Sequence, residues 1–230
     1  MDEIKNIDVS FSEAIRNSDL KEVTIDFAEN FMDSIMNEGL VKEIPIIGTL
    51  IGVGNLAISL KDRLFLKKIL HFLSGINHIS IEQRQNLIDE INESHKEKVK
   101  VGEKLIYILD KCDDHITAKY IAQLFCAFID KRISYSDFLK GSRIIQNLLL
   151  ADLEYFLRAN KSEFHFTARA EEIPHEDLLP LINVGICGFG FNDSRLENVG
   201  FGEKEISGGE GVVWTTGIGE KLKEILRIEN

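Results

Sequence analysis

The run "DKCDDH" brings Asp110, Asp113, Asp114 and His115 close together, and carboxylates beside an imidazole are the donor types that hold a divalent metal ion. The same residues have a simpler use. Asp113 and Asp114 stand just before the apolar run "ITAKYIAQLFCAFI", where a short acidic side chain satisfies the free amides of a helix N-terminus. Capping accounts for the acids without any ligand, so no metal site is expected there.

Other groups able to do chemistry have equally plain uses. Cys126 lies in the middle of an apolar helical stripe, where a thiol is normally an inert core residue. Cys112, Cys126 and Cys187 show no C-x-x-C spacing, so neither a disulfide framework nor a redox pair is expected. His71, between apolar neighbours in "KDRLFLKKILHFL", reads as a core histidine with its hydrogen bonds met. The six histidines form no H-E-x-x-H pattern, and no G-x-S-x-G elbow is present. "GIGEKL" lacks both the spacing of a phosphate-binding loop and a hydroxyl after Lys221, and "GFGFND" follows a helix where a dinucleotide fingerprint would follow a strand. The expectation is a non-enzyme with no catalytic residue, no cofactor and no metal.

The elements that position these residues are mostly helical. A stripe of Leu20, Val23, Phe27, Ala28, Phe31 and Ile35 predicts a helix from "SDLKE" to about Glu38, with Gly39 closing it. Pro45 suits the first turn of a second helix, which continues through "KDRLFLKKILHFL" to Leu73 with a kink near Gly52, Gly54 and Asn55. "SIEQ" at Ser80 to Gln83 is a capping box that opens a polar helix ending near His95. Two further helices cover "VGEKLIYILDKC" and "ITAKYIAQLFCAFI", and "SYSD" opens another that runs from Ser134 to about Asn160.

Beyond Asn160 the texture changes. Ten of the seventeen glycines fall between Gly185 and Gly219, which predicts tight turns and short strands. "IPHEDLLPLINVGI" reads as a short amphipathic helix, "GVVWTT" as a strand and "GIGEKLKEIL" as a closing helix. The fold class is therefore mainly α: an acidic N-terminal helix over residues 1–40, a helical domain over 41–160, and a small α+β module over 161–230.

Charge narrows the partners. The net charge of −11 argues against a chain that grips nucleic acid over its surface. Residues 1–40 carry 10 acids against 3 bases and residues 161–217 carry 10 against 4, while residues 41–160 hold 17 bases against 15 acids. The acidic flanks read as solvated faces. The N-terminus "MDEIKN" has neither a basic n-region nor an apolar h-region, so a cytoplasmic, reducing location is the expectation.

One segment bears on the membrane. "IPIIGTLIGVGNLAISL", residues 44–60, carries no charge, and Gly48, Gly52 and Gly54 form a ridge of small residues of the kind that lets helices approach closely. Lys61, Arg63, Lys67 and Lys68 follow at once, and such a basic cluster is drawn to an anionic leaflet. The stretch falls short of the ~20 residues that cross a bilayer core, and Thr49, Asn55 and Ser59 suit lipid poorly. A buried central helix of a soluble bundle is the favoured interpretation, with peripheral attachment to the inner membrane as the alternative.

Two resemblances follow from these residues. "LLPLINVGI" with "WTTGIGEKLKEIL" resembles the C-terminal half of winged-helix domains, in which a hairpin wing enters the last helix through a step like Thr216-x-x-Gly219-x-x-Leu222. DNA-binding members of that class imply a basic wing, whereas Arg195 and Lys204 are the sole bases between Gly185 and Gly217. In addition, the apolar glycine-containing segment, "AKYIAQLFCAFID", "IIQNLLLADLEYFL", "LLPLINVGI" and "TTGIGEKL" together are similar to the abortive-infection alpha-type phage-defence proteins. That resemblance implies a cytoplasmic, membrane-associating protein of antiviral defence and brings no catalytic residue. The expected function is a non-enzymatic bacterial defence or stress effector that works through protein or membrane contact; the alternative is a soluble interaction module or regulator. The expected partners are a protein, an anionic membrane surface or a second copy of the chain, and not nucleic acid.

Overall fold

The computed structural model describes residues 2–34, 44–51, 59–93, 100–159, 166–168, 178–191, 193, 195–200, 203–207 and 210–228. Among these the chain is mainly helical, with eleven helices and five short strands. It divides into two compact units, Met1–Gln146 and Asn147–Asn230.

The first unit holds α1 (Asp2–Asn17), α2 (Ile25–Ser34), α3 (Pro45–Ile51), α4 (Leu60–Gly75), α5 (Ile81–Glu93), α6 (Val101–Asp110), α7 (His115–Ile129) and α8 (Tyr135–Asn147, whose last residue lies past the division). At its centre α4 packs along α7. The two helices come close where α4 ends: a Cβ on Gly75 would lie 2.5 Å from the Cβ of Ala122. A run of rings fills the core, Phe11 to Phe72 at 6.0 Å, Phe72 to Phe125 at 5.6 Å and Phe125 to Phe138 at 5.6 Å.

The predicted N-termini are realised in local hydrogen bonds. Ser80 accepts from the Gln83 amide at 3.3 Å while Gln83 Oε1 accepts from the Ser80 amide at 3.2 Å, which is the reciprocal box read from "SIEQ". Ser134 and Asp137 do the same at 3.1 and 3.3 Å. Asp114 caps α7, its Oδ1 accepting from the Thr117 amide at 2.7 Å.

Three boundaries differ from those expected. The helix predicted from Ser18 starts only at Ile25, because residues 18–24 form a turn and Thr24 accepts from the Phe27 amide at 3.1 Å to open α2. Ahead of it, α1 buries Phe11, Ala14 and Ile15 completely, so the acidic N-terminus belongs to the first core and is not a separate domain. The single helix predicted over Pro45–Leu73 is α3 and α4, since the Ser59 side chain accepts from the Asp62 amide at 3.1 Å and caps a new start. The predicted kink residues Gly52, Gly54 and Asn55 lie outside the described residues, as do Ile35 and Gly39. The helix expected from Ser134 to Asn160 breaks at Leu148 and Leu149, next to the division between the units, where Leu149 takes an extended ψ of 142°.

Arg84 is 2% exposed, and its guanidinium donates to the carbonyls of Ile15, Ser18 and Ile79. Through Ile15 and Ser18 it closes the C-terminal end of α1 from inside the core, where carbonyls have no helical partner.

The second unit holds α9 (Leu150–Arg158), β1 (Phe166–Ala168), α10 (Leu179–Asn183), β2 (Cys187–Phe191), β3 (Arg195–Gly200), β4 (Glu203–Ser207), β5 (Gly211–Thr215) and α11 (Gly217–Ile225). β5 lies between β1 and β2 in an antiparallel sheet, and β3 pairs with β4 in a separate ribbon. The Thr216-x-x-Gly219-x-x-Leu222 step has a physical basis here. The Thr216 hydroxyl accepts from the Gly219 amide at 3.2 Å and caps α11. A Cβ on Gly219 would fall 2.4 Å from the Ile186 carbonyl oxygen, and Leu222 is fully buried.

Candidate functional site

The titratable groups that converge lie in the first unit, on three helices far apart in sequence. Lys67 and His71 sit four residues apart on α4 and share one of its faces. α2 supplies Glu29, and α7 supplies His115 as its first residue, set by the Asp114 cap just before it. Glu29 Oε1 lies 3.4 Å from His71 Nε2 and 3.6 Å from His115 Nε2, while its Oε2 is 3.0 Å from Lys67 Nζ. The two imidazole rings are 4.5 Å apart between centroids, tilted by 43°.

Burial and charge set the protonation of this group. His71 is wholly buried, and neither of its ring nitrogens makes a hydrogen bond. Burial, with the neighbouring His115 adding to it, pushes the His71 pKa down to about 4. His115 is likewise lowered, by burial first and by Lys67 second. Glu29 is held below its ordinary range chiefly by the hydrogen bond from Lys67, against the opposing effect of its partial burial. At neutral pH the cluster therefore holds two neutral imidazoles and a carboxylate.

His115 also lines a cleft of about 570 Å³ together with Leu64, Phe65, Lys67, Asp113 and Asp114. The quartet suggested by "DKCDDH" thus divides. Asp114 is the cap, Asp110 and Asp113 border the cleft, and His115 alone of the four joins the convergent group. The expectation that His71 is a core histidine with its hydrogen bonds met is corrected: it is in the core, but neither nitrogen makes a hydrogen bond, and Nε2 has Glu29 Oε1 only at ion-pair distance, 3.4 Å. The signal in the sequence was a histidine flanked by Leu70 and Phe72, with Lys67 one helical turn before it. Such a ring requires a partner from another element or stands unsatisfied.

The residues proposed for helix or membrane contact separate too. Gly48 is exposed on α3, and among the described residues a Cβ there would meet nothing within 4 Å, so no described helix makes a close approach at this glycine. Gly52 and Gly54 lie outside the described residues. Around Gly48, Ile44, Ile46 and Ile47 are 2%, 0% and 0% exposed, so this part of the segment buries one side and is not enclosed all round. Two of the four bases are turned to internal work: Lys67 pairs with Glu29, and Lys68 donates to the carbonyls of Asp110 and Cys112 at 2.9 and 2.8 Å, closing the end of α6. Lys61 and Arg63 remain exposed. No helix among the described residues is long and apolar enough to cross a membrane.

The three cysteines are buried free thiols. Burial pushes Cys112 and Cys126 up to about 12 and Cys187 up to about 11, which keeps all three protonated at neutral pH.

In the second unit the sheet exposes aromatic rings. On β2, Phe189 and Phe191 alternate with glycines and point to one face, 39% and 68% exposed, their rings 5.2 Å apart edge to face. On the opposite face the Trp214 indole of β5 lies across Gly188 and Gly190: a Cβ at Gly188 would fall 2.4 Å from it. The glycines of "GFGFND" thus make room for an indole, a use the sequence pattern did not indicate.

Known proteins give no further lead: no family model matches the chain, nor does any curated protein or solved structure.

Proposed function

We propose that the chain is a non-enzymatic bacterial effector of phage defence or stress that acts by contact, docking a protein partner on the Phe189–Phe191 face of its second unit. The observation that carries this is the pair of exposed phenylalanines on one sheet face. Apolar surface left in water costs about 25 cal/mol per Å², and aromatic side chains of this kind are enriched where partners dock. The second unit is read as a winged-helix-like module. Support comes from the strand order β1-β5-β2 and from the Thr216–Gly219–Leu222 step that carries β5 into α11. Arg195 and Lys204 are the only bases of the excursion between β2 and β5, which favours a protein over nucleic acid as the partner.

A second reading places the contact at an anionic membrane. It is favoured by the first turn of α4, where Leu60 and Leu64 are 73% and 58% exposed beside exposed Lys61 and Arg63. One experiment tests both. Phage plating efficiency and host growth are measured on cells expressing wild type, a Phe189→Ser/Phe191→Ser variant, or a Leu60→Ser/Leu64→Ser variant, with each fold checked by circular dichroism. Loss of a wild-type effect in the first variant supports protein docking through the sheet face, and loss in the second alone assigns the contact to the membrane-facing turn. A wild-type chain that alters neither plating nor growth overturns the effector reading.

A further inference from the structure

We infer that Glu29, His71 and His115 form a binding site for one divalent ion of the zinc class, with three protein donors and an open position towards the adjoining cleft. This goes beyond the contact function proposed above and does not depend on it.

The donor geometry is the first argument. One ligand atom from each residue lies within 4.8 Å of the others, and Glu29 Oε1 stands 3.4 and 3.6 Å from the two Nε2 atoms. Ligand atoms held about 2.0–2.2 Å from a tetrahedral zinc ion are spaced by roughly 3.3–3.6 Å, so the two carboxylate-to-imidazole spacings match, and the two imidazoles, within 4.8 Å of each other, close on the ion by a small side-chain adjustment. The second argument is independent of it. His71 is completely buried with both nitrogens lacking hydrogen bonds, an arrangement that leaves the desolvation of its polar atoms uncompensated unless something fills the place. An ion held by Nε2 satisfies that nitrogen, which has Glu29 Oε1 at 3.4 Å but no hydrogen bond.

Chemistry then selects the ion. Two imidazoles and one carboxylate favour zinc, cobalt or nickel over magnesium or calcium, which prefer oxygen donors throughout. Lys67 takes the other oxygen of Glu29 and so orients Oε1 towards the histidines. Three protein ligands leave a tetrahedral ion one free position, and His115, which lines the cleft, gives that position access to solvent.

The test uses the full chain stripped with EDTA and dialysed, titrated with zinc chloride by calorimetry and with cobalt(II) by visible absorption. The expected result is one ion per chain, with visible cobalt bands of a four-coordinate site. His115→Ala and Glu29→Gln are each expected to weaken zinc binding at least 10-fold with an unchanged far-ultraviolet spectrum, whereas His78→Ala, at an exposed histidine, leaves it unaltered. Should His115→Ala fail to fold, Glu29→Gln decides alone, since it changes a partly exposed side chain by one atom. Absence of one-to-one binding in the wild type, or affinity equal to wild type in Glu29→Gln, overturns the inference. Loss of binding in His78→Ala of the same size does so as well, because it places the ion elsewhere.

Discussion

A buried imidazole without hydrogen bonds ties folding to pH. In the metal-free protein His71 has a pKa of about 4, against about 6.5 for an ordinary histidine. Above pH 6.5 neither folded nor unfolded chain carries its proton, and stability is flat in this respect. Between pH 6.5 and 4 the unfolded chain takes up a proton that the folded chain refuses, so stability falls as pH falls, at up to about 1.4 kcal/mol per pH unit. His115, also lowered, adds to the loss in the same direction, whereas Glu29, lowered from 4.5, adds its own only below that value. Urea unfolding of the EDTA-treated protein at pH 7, 6, 5 and 4.5 should show the decline. His71→Leu, which puts an apolar side chain in the apolar site, should flatten it while leaving stability at pH 7 equal or higher. Identical pH slopes in the two proteins would refute the assignment. The sequence supplied the burial of His71 through its neighbours Leu70 and Phe72, but not its want of partners, because Glu29 and His115 reach it from helices 42 and 44 residues away.

At the scale of elements, the first unit depends on how closely α4 and α7 can approach. Alanine is ordinarily the better helix former than glycine by up to about 1 kcal/mol, so Gly75→Ala should stabilise α4 taken alone. In the fold its new methyl would stand 2.5 Å from the Ala122 Cβ, a short side chain with no freedom to swing away. Overpacking of this kind costs about 1–3 kcal/mol and outweighs the propensity gain, so Gly75→Ala should lower the unfolding midpoint. Gly75→Ala/Ala122→Gly should recover a large part of the loss in a double-mutant cycle, and no coupling between the two sites would refute the close approach. Helix existence was legible for this element pair because Leu66, Ile69, Leu70 and Leu73 on α4 and Ile121, Leu124, Phe125 and Phe128 on α7 repeat at helical spacing. Boundaries were less so. Ser59 and Thr24 restart helices where the apolar pattern runs on, and a single side-chain cap is a local event that periodicity averages over. α1 was expected only as part of an acidic N-terminal helix over residues 1–40 and not as an element of its own, although Phe11, Ala14, Ile15 and Ser18 trace a helical face.

At the scale of the whole molecule, each unit has a core of its own. The first is closed by the ring series from Phe11 to Phe138 and by Arg84. The second buries Leu153, Phe156, Leu181, Ile186, Val213 and Leu222, with Lys223 donating to the Ala159 carbonyl and lying 4.9 Å from the Phe156 ring. The change of texture after Asn160 was visible in the glycine count, but the division lies at Gln146, because α9 contributes Leu153 and Phe156 to the later core. Hydrophobic periodicity continues across Leu148 and Leu149 and carries no mark of which core each turn serves. A chain of 146 residues buries a larger share of its surface than one of 84, the length of Asn147–Asn230, and so has the larger margin over conformational entropy. Expressed separately, residues 1–146 should therefore unfold cooperatively and at a higher temperature than residues 147–230, while a fragment ending at Asn160 should gain no stability over the one ending at Gln146. Calorimetry of the three fragments decides the point: if only the chain ending at Asn160 folds, α9 belongs with the helical core and the division drawn at Gln146 is wrong.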